Sequence, residues 1–372
     1  MKIRYLLTTL ISLIQLIPLY SQTGTSDWSL FRGNADLSGR YDNNLPSSPR
    51  LLWSVSSGAG SESSPVISNG TIYFGNDKGT LTAVDANGKV NWKFETGESI
   101  NAAPTIFDGK VIFGTINGIL RAVNANSGKL EWTYKTDNEI AGSANVWKKG
   151  NMAGVIVGSY DYYLHCVDPE TGKPRWKVET ENFINGTPAI SNGKIIFGGC
   201  DGIIRIVDPV TGIQKDTINI GIYIAGSPAL SGDYAFLGDY DGNFYSLNLT
   251  ERKPIWKIYP GDDNGSIMAI PAVGYGSVVI GSEDRNLYCY SFSDGRLKWK
   301  FRTNGNITGS AVITPDAVLF TGTDGKVRIL NLDNGQQIWS FNAGAPISSS
   351  PAVSDNRFYI VTDDGRLLAF GK

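Results

Sequence analysis

Polar side chains recur at one slot of the sequence, directly before a pair of small residues. The slot is filled by Glu62, Asn101, Ala141, Asn185, Ala225, Met268, Thr308 and Ser348. It holds one carboxylate, whereas calcium prefers about six to eight oxygen ligands that usually include several carboxylates. We therefore predict no metal site there. The Glu and Asn side chains either bind a polar ligand or form the solvated lining of a narrow axis, and we favour the lining.

A second polar set lies in tight turns: Asp161, Asp201, Asp241, Asp284, Asp324 and Asp364. Aspartate tolerates a turn backbone and bonds its own turn, so the turn explains these residues without a metal. Other side chains beside them are not required by a turn: Tyr160, Tyr162, Asp239, Tyr240, Glu283 and Arg285. Tyrosine and arginine are enriched at protein interfaces, and tyrosine also stacks on sugars, so these residues indicate a binding face. Ordinary polar surface is the competing interpretation.

Nucleophilic and zinc chemistry find no support in the sequence. His165 is the single histidine, and it occupies a strand slot that holds arginine in other repeats, so we expect it to pack between repeats. No Gly-x-Ser-x-Gly elbow exists to partner it in a hydrolase. Three cysteines without a Cys-x-x-Cys pair exclude structural zinc. We predict no catalytic residue and no metal ligand.

A repeated sequence pattern positions these residues. A short apolar strand, a turn and a strand that opens on tryptophan recur about forty residues apart, as at 166–176, 289–299 and 329–339. Each unit contains four strands, and the pattern contains no helix. We therefore predict an all-β, eight-bladed β-propeller of four-stranded antiparallel blades. The last unit lacks its fourth strand, which residues 51–53 supply, so pairing of the N- and C-terminal strands closes the ring.

Tryptophan is the predicted wedge between neighbouring blades, because each buried indole covers on the order of 150–250 Å². The docking residues are Trp53, Trp92, Trp132, Trp176, Trp256, Trp299 and Trp339. Asp216 replaces the tryptophan in the fourth unit, and Arg252 replaces the usual turn glycine in the fifth. One interface should therefore be weaker or differently filled.

The chain divides into three parts. Residues 1–21 have the charged start and apolar run of a cleaved signal peptide, residues 22–50 form an extension expected on the surface, and residues 51–372 form the propeller. The formal charge of −2 offers no basic field for nucleic acid. We expect a soluble, exported monomer, periplasmic or extracellular, without a transmembrane segment after cleavage.

The small-Pro, Asp-Gly-x-Leu-x-Ala-x-Asp, Thr-Gly-Lys and Trp elements resemble the pyrroloquinoline-quinone (PQQ)-like propeller repeat over residues 51–372, and residues 28–34 are similar to the entry segment of exported bacterial members. The resemblance implies eight blades with tryptophan docking, but not the cofactor. The family's dehydrogenases carry an adjacent-cysteine disulfide, a calcium ion and a catalytic aspartate, and no two cysteines are adjacent here. A closer analogue is the propeller lipoprotein of the outer-membrane β-barrel assembly machinery, whose lipid-attachment cysteine this chain lacks.

We predict a non-catalytic binding or scaffold protein that presents a loop face to a protein partner or a glycan, and envelope assembly is one such role. The expected contact residues are Glu62, Asn101, Tyr160, Asn185, Asp239, Tyr240, Glu283 and Arg285. No cofactor is expected. The alternative is a quinoprotein oxidoreductase of alcohols or sugars, which would need PQQ and calcium. A carbohydrate-binding module is a third hypothesis.

Overall fold

The structure is a computed structural model that describes residues 27–224, 226–260 and 265–372. The predicted signal peptide (residues 1–21) and the slot residue Ala225 lie outside the described residues. No helix in the described ranges has the length and apolarity that a membrane crossing requires.

The described residues form eight four-stranded antiparallel sheets, which we call blades 1 to 8. Blades 1 to 4 contain β2 (Val66–Ser68), β3 (Thr71–Phe74), β4 (Thr80–Asp85), β5 (Val90–Glu95); β6 (Thr105–Phe107), β7 (Lys110–Phe113), β8 (Ile119–Asn124), β9 (Leu130–Lys135); β10 (Asn145–Lys149), β11 (Met152–Gly158), β12 (Tyr163–Val167), β13 (Pro174–Glu179); β14 (Ala189–Ser191), β15 (Lys194–Gly198), β16 (Ile203–Val207), β17 (Gln214–Asn219). Blades 5 to 8 contain β18 (Ala229–Ser231), β19 (Tyr234–Gly238), β20 (Phe244–Asn248), β21 (Lys253–Ile258); β22 (Ala272–Gly274), β23 (Ser277–Gly281), β24 (Asn286–Ser291), β25 (Leu297–Arg302); β26 (Val312–Ile313), β27 (Ala317–Thr321), β28 (Lys326–Asn331), β29 (Gln337–Asn342); β30 (Ala352–Ser354), β31 (Arg357–Val361), β32 (Arg366–Gly371) and β1 (Arg50–Ser56).

The two ends of the chain complete one blade. β1 pairs with β32, from Arg50 opposite Gly371 to Ser56 opposite Arg366, and so becomes the outer strand of blade 8. This pairing confirms the predicted closure of the ring. It also removes the open edge that an unclosed sheet array would leave.

The second and third strands of each blade form the core. Ile72 on β3 and Val84 on β4 are fully buried. They lie opposite each other in the register of the blade. These strands read as continuous apolar runs because neighbouring blades cover both of their faces. The outer strands alternate half-buried and exposed residues, since only one face is covered.

Tryptophan docking follows one rule at six of the interfaces between neighbouring blades, which we call seams. The indole of the outer strand lies on a glycine in the last turn of the next blade: Trp92 donates from Nε1 to the Ala125 carbonyl at 2.9 Å, and a Cβ on Gly128 would lie 2.7 Å from its ring. The other five pairs are Trp53 with Gly88, Trp132 with Gly172, Trp176 with Gly212, Trp256 with Gly295 and Trp299 with Gly335. Trp339 packs instead on Phe358 and Phe370, with centroids 5.9 and 5.7 Å away.

The seam between blades 4 and 5 uses a different contact. Asp216 stands opposite Ile206 in the register that tryptophan holds elsewhere. Arg252 occupies the glycine position of the next blade with φ +58°. Arg252 Nη1 lies 2.6 Å from Asp216 Oδ2, and both side chains are partly exposed to solvent. The two departures seen in the sequence therefore meet at a single seam, where an ion pair stands in for the indole.

Residues 27–41, which we call the N-terminal strap, lie against the inner strands of the ring. The carbonyls of Ser29, Ala35, Asp36, Ser38 and Gly39 accept hydrogen bonds from the inner strands of blades 2, 4, 5, 6 and 7, at Ile106, Ile190, Leu230, Val273 and Ile313. Arg32, 1% exposed, donates to the carbonyls of Ala311 and Pro271. The sequence placed this segment on the surface of the propeller, and the structure shows that residues 27–41 contact the axial edges of the inner strands, whose N–H groups need backbone acceptors.

Candidate functional site

One face of the ring carries the turns between second and third strands together with the loops that enter each blade. We call it the loop face. In every blade a turn N–H donates to a carbonyl of the entering loop: the turn/loop pairs are Asp77/Gly60, Ile116/Ser99, Tyr160/Glu139, Cys200/Phe183, Tyr240/Tyr223, Glu283/Ser266, Thr323/Asn306 and Asp363/Pro346. This eightfold frame places side chains of different blades at equivalent positions. The blades therefore differ in the side chains that they present from equivalent positions of the same backbone frame.

A funnel of about 310 Å³ opens at the centre of the loop face, and Phe31 of the N-terminal strap contributes to its lining. Glu62, Asn101 and Asn185 all line it, so the structure brings these three predicted residues together. The small residues that follow them form hydrogen bonds from blade to blade. Such bonds run from the N–H of Ser143, Thr187, Ile270, Ser310 and Ser350 to the hydroxyls of Thr187, Ser227, Ser310, Ser350 and Ser64.

Glu62 is the one charged side chain among the described residues of the funnel lining. Partial burial raises the pKa of its carboxyl, and the negative charges of Asp363 and Asp77 add to the effect. Buried polar atoms also lack partners there within the described ranges, namely Asn185 Oδ1 and Thr308 Oγ1. The amide nitrogen of Asn185 donates to the Tyr223 hydroxyl at the edge of the funnel.

Aromatic side chains cover the loop face of blades 3 to 5. We call this set the aromatic rim, and it consists of Tyr160, Tyr162, Phe183, Tyr223, Tyr240 and Tyr259. Tyr160 stacks on Phe183 with centroids 4.7 Å apart, and Tyr162 lies 5.2 Å from the same ring. Tyr223 meets Tyr240 edge to face at 5.4 Å. Burial raises the pKa of Tyr160, and it raises that of Tyr223 to about 12, so both phenols stay neutral at physiological pH.

The turn aspartates have side-chain partners that we did not foresee. Asp161 lies 3.0 Å from His165, Asp201 2.7 Å from Arg205, and the Asp324 carboxylate pairs with Arg328. Each partner stands four residues later, as the third residue of the third strand of its blade. Burial alone would raise the pKa of Asp161, but the His165 hydrogen bond and charge outweigh it and lower that pKa. The spacing Asp-x-x-x-His/Arg was the available signal in the sequence.

His165 is a buried structural residue of blade 3. Its Nε2 contacts Asp161, and its Nδ1 lies 2.9 Å from the Tyr134 hydroxyl. Both imidazole nitrogens are therefore engaged within the protein, in agreement with the packing role expected for it. Across the described residues, no group of three or more His, Cys, Asp or Glu side chains is arranged to hold a metal ion.

The remaining predicted contact residues are spread over the face. Tyr160 and Tyr240 belong to the aromatic rim, whereas Glu283 and the exposed Arg285 stand on blade 6. Asp239 is 0% exposed, because its carboxylate accepts hydrogen bonds from Asn243 and Tyr245. It supports the blade from inside and offers no atom to a partner. Phe183 and Tyr223 were missed because they lie in the entering loops, each one residue before a buried isoleucine that aligns its loop.

The sequence matches the family model described as outer membrane protein assembly factor BamB over residues 39–153, 150–250 and 201–372. The chain belongs to this family of PQQ-like propellers. The match spans every blade, and it confirms the resemblance that the repeat indicated. No curated protein matches the sequence.

Solved structures show the same fold at low sequence identity. BamB from Moraxella catarrhalis has a TM-score of 0.73 and 19% identity, covering 87% of this chain and 98% of its own. A europium-containing methanol dehydrogenase has a TM-score of 0.80 and 13% identity, covering 93% of this chain and 98% of its own. Quinohemoprotein alcohol dehydrogenase from Comamonas testosteroni scores 0.78 at 15% identity, covering 93% and 81%. These likenesses establish the fold alone.

The funnel residues fit poorly to a quinone cofactor with calcium. PQQ is a polycarboxylate and calcium takes about six to eight oxygens, usually with several carboxylates. Glu62 is the one charged group of the described lining, and its negative charge opposes an anionic quinone. Asn101, Asn185 and small hydroxyls complete the polar lining. The donor set suits a neutral or cationic polar group better.

Proposed function

We propose that the protein is an exported, non-catalytic binding and scaffold propeller that presents its loop face to a protein partner or a glycan of the cell envelope. The observation that carries this proposal is the aromatic rim. Large aromatic side chains in the frame and its turns are confined, among the described loops, to blades 3 to 5. The hydrogen bonds of the frame use backbone atoms, so the scaffold does not need those rings.

Backbone strain supports the same face. Tyr162 and Arg285 adopt φ of +72° and +71° at a turn position that holds glycine in the six other blades. A non-glycine residue with positive φ costs on the order of 1 kcal/mol and is concentrated at functional sites. Both side chains are exposed, and Tyr162 packs on Phe183 of the aromatic rim, so the strain is accepted at two positions of the proposed binding face.

Export is part of the proposal, and residues 1–21 support it through their sequence alone. The family description and the BamB fold neighbour both concern a protein of outer membrane assembly, which supports an envelope role for this chain. The quinoprotein alternative is supported by the fold of two dehydrogenase neighbours. Incubation with PQQ and calcium, followed by dye-linked oxidation of alcohols and sugars, tests it directly.

The binding role is tested by comparing two arcs of the loop face. In the rim variant Tyr160 and Tyr240 become serine. In the control variant Ile116 of blade 2 and Thr323 of blade 7, at the equivalent turn positions of the frame, become serine. We expect the rim variant alone to lose a specific partner recovered from intact envelopes by crosslinking, or a ligand identified on a glycan array. Equal retention by both variants, with both still folded, would refute the proposed face.

A further inference from the structure

The N-terminal strap crosses the ring axis at the inner end of the funnel. The Ser29 carbonyl accepts a hydrogen bond from blade 2. Three residues later, Arg32 donates to the carbonyls of Pro271 and Ala311, which precede the inner strands of blades 6 and 7. Blade 2 stands opposite blade 6 in the ring of eight, so the chain between these contacts passes over the axis. Phe31 belongs to this crossing and lines the funnel, so a ligand that enters from the loop face meets an aromatic ring there.

The backbone donors around the funnel are already used within the ring. Five N–H groups of the small residues donate to hydroxyls of the next blade, as Ser143 does to Thr187 and Ser310 does to Ser350, both at 2.9 Å. The described lining contains no lysine, arginine or histidine. Among its described side chains, the Asn101 amide nitrogen is the one N–H donor without a partner. The funnel is therefore poor in free N–H donors.

Three oxygen acceptors of the lining lack a donor among the described residues. The Glu62 carboxylate accepts no hydrogen bond, and the buried Asn185 Oδ1 and Thr308 Oγ1 have no partner. The Asn185 amide nitrogen donates to the Tyr223 hydroxyl, which fixes which side of the amide carries the unpaired oxygen. Leaving a buried acceptor unpaired is unfavourable, because the group has lost its water without gaining a donor. The Asn185 and Thr308 side chains are partly exposed, so a change of side-chain torsion turns each oxygen into the funnel.

The charge around Glu62 is negative. After partial burial, the charges of Asp363 and Asp77 raise the pKa of its carboxyl, and no cationic side chain acts in the other direction. Arg32 is the cation of the strap, but it does not line the funnel and it lies near the Asp36 carboxylate. A cation at the centre of the loop face would thus relieve the repulsion at Glu62, whereas an anion would add to it.

The positions of the three acceptors indicate which cation fits. Glu62 belongs to blade 1, Asn185 to blade 4 and Thr308 to blade 7, so they surround the axis instead of lining one side of it. A primary ammonium has three N–H donors arranged around its C–N bond and no acceptor, whereas a guanidinium presents its donors in one plane. Acceptors on three sides of an axis match the ammonium. An aromatic ring such as that of Phe31 also attracts a cation through its π face.

We propose that the funnel binds a primary alkylammonium group, with Glu62, Asn185 and Thr308 accepting hydrogen bonds from its three N–H donors. Phe31 contacts the cation or its alkyl stem. This chemistry has two sources, a lysine side chain of a protein partner and a free amine, and the experiment separates them. The inference rests on the proposed binding role of the loop face and names the ligand class at its centre.

The test titrates three probes into the mature chain and follows binding by NMR: a capped Ala-Lys-Ala peptide, the same peptide with norleucine for lysine, and n-butylammonium. We expect saturable binding of the lysine peptide and of n-butylammonium, and none of the norleucine peptide. A lysine peptide that binds at least about tenfold more tightly than n-butylammonium assigns the site to a partner side chain. Equal affinities assign it to a free amine. Failure of both cations to bind, or equal binding of the norleucine peptide, would overturn the site.

Two variants of the lining should change the affinity in opposite directions. Glu62→Gln should weaken binding of the lysine peptide about tenfold, because a charge-assisted hydrogen bond becomes a neutral one. Asn185→Asp should tighten it about tenfold, because a carboxylate replaces the unpaired amide oxygen. Thr308→Val keeps the shape of the side chain, removes one acceptor and should weaken binding about threefold. A general loss of folding would not produce a gain at one position and a loss at another.

Asp137→Asn is the matched control for charge, since Asp137 is an exposed carboxylate of the loop face that does not line the funnel. It should leave the affinity within about twofold, because salt screens a distant exposed charge. An equal loss on Asp137→Asn and Glu62→Gln, or no gain on Asn185→Asp, would refute the funnel site. If the Tyr160 and Tyr240 serine variant still loses an envelope partner in that case, the funnel inference fails while the proposed function stands. If the funnel binds ammonium but the serine variant retains every partner and glycan, the proposed face fails instead.

Discussion

The loop face divides into two arcs of neighbouring blades. Both arcs share the hydrogen-bonded frame, and they differ in the side chains that the frame does not require. Blades 3 to 5 carry the aromatic rim, and the seam between blades 4 and 5 replaces the indole and glycine with the Asp216–Arg252 ion pair. Blades 6 to 8, 1 and 2, which we call the polar arc, carry no aromatic side chain at the described frame positions. Apart from Ile116 and Pro346 their frame residues are small or polar, and Glu62 is the charged group of the funnel.

This difference separates the residues that hold the fold from those that the fold does not explain. Where all blades agree, as in the turn N–H to loop carbonyl bonds, the feature holds the fold. Where one arc departs at a cost, as Tyr162 does by adopting φ +72°, the fold does not explain the residue. The blade 4/5 seam lies under the aromatic rim, so the arc with the most exposed aromatic surface also has the seam with the least buried docking contact.

The largest predicted effect concerns an indole of the polar arc. Trp299 is 8% exposed, donates to the Leu332 carbonyl at 2.7 Å and lies on Gly335. Trp299→Ala should lower the free energy of unfolding by about 3–5 kcal/mol, because it empties a packed seam and leaves the carbonyl without its donor. Urea denaturation followed by intrinsic fluorescence measures it.

The control for this prediction is Asp216→Ala at the exceptional seam. Exposed ion pairs contribute about 0–1 kcal/mol, so this variant should lose much less stability than Trp299→Ala. Equal losses at the two seams would mean that the ion pair docks the blades as firmly as an indole, and the contrast between the arcs would disappear.

A smaller effect is expected from converting the exceptional seam into an ordinary one. Asp216→Trp combined with Arg252→Gly should raise the free energy of unfolding by about 1–3 kcal/mol, since an indole would then dock on a turn glycine at φ near +58°. Asp216→Trp alone places the ring against the Arg252 side chain, and Arg252→Gly alone removes the ion pair.

Neither single change should therefore stabilise the protein, and the coupling between them should exceed about 0.5 kcal/mol in a double-mutant cycle. Additive effects would show that residues 216 and 252 do not form one docking unit. A lower midpoint of urea denaturation for the double variant would show that the ion pair is the better solution at this seam.

The ring itself could be predicted because its signals repeat. The tryptophans, the turn glycines and the missing fourth strand recur at fixed spacing, and they gave the blade number and the closure through β1. The N-terminal strap could not be predicted, because its partners are backbone groups of strands that lie far away in the chain, such as Ile313 for Gly39. No local pattern encodes such contacts.

The candidate site was predicted in part for a related reason. Tyr160 and Tyr240 stand out in turns that need only small residues, whereas Phe183 and Tyr223 become neighbours of theirs only through the frame. Asp239 looked like an addition to the surface, but its register directs it inward to Asn243 and Tyr245. Which turn aspartate faces solvent depends on side-chain pairing within a blade, and the sequence alone does not settle that.

The smallest effect is predicted for Glu62, the charged residue of the described funnel lining. Partial burial in the funnel, then the charges of Asp363 and Asp77, raise the pKa of Glu62 in the folded state. A carboxyl whose folded pKa lies above its unfolded value binds its proton more tightly when folded, so its contribution to stability declines as pH rises between the two values. At neutral pH the charged form is disfavoured in the native funnel. Glu62→Gln should therefore raise the urea midpoint slightly at pH 7.

Below the unfolded pKa of glutamate, about 4.3, the wild-type carboxyl is protonated in both states, and the advantage of Glu62→Gln should vanish. Comparing the urea midpoints of the two proteins from pH 3.5 to 7.5 measures the sign directly. Asn101→Gln, at the same slot one blade away, controls for changes in the funnel lining that carry no charge. If Glu62→Gln were instead destabilising at pH 7, Glu62 would be held by a cationic partner in solution, and the polar arc would contain a charged site of its own.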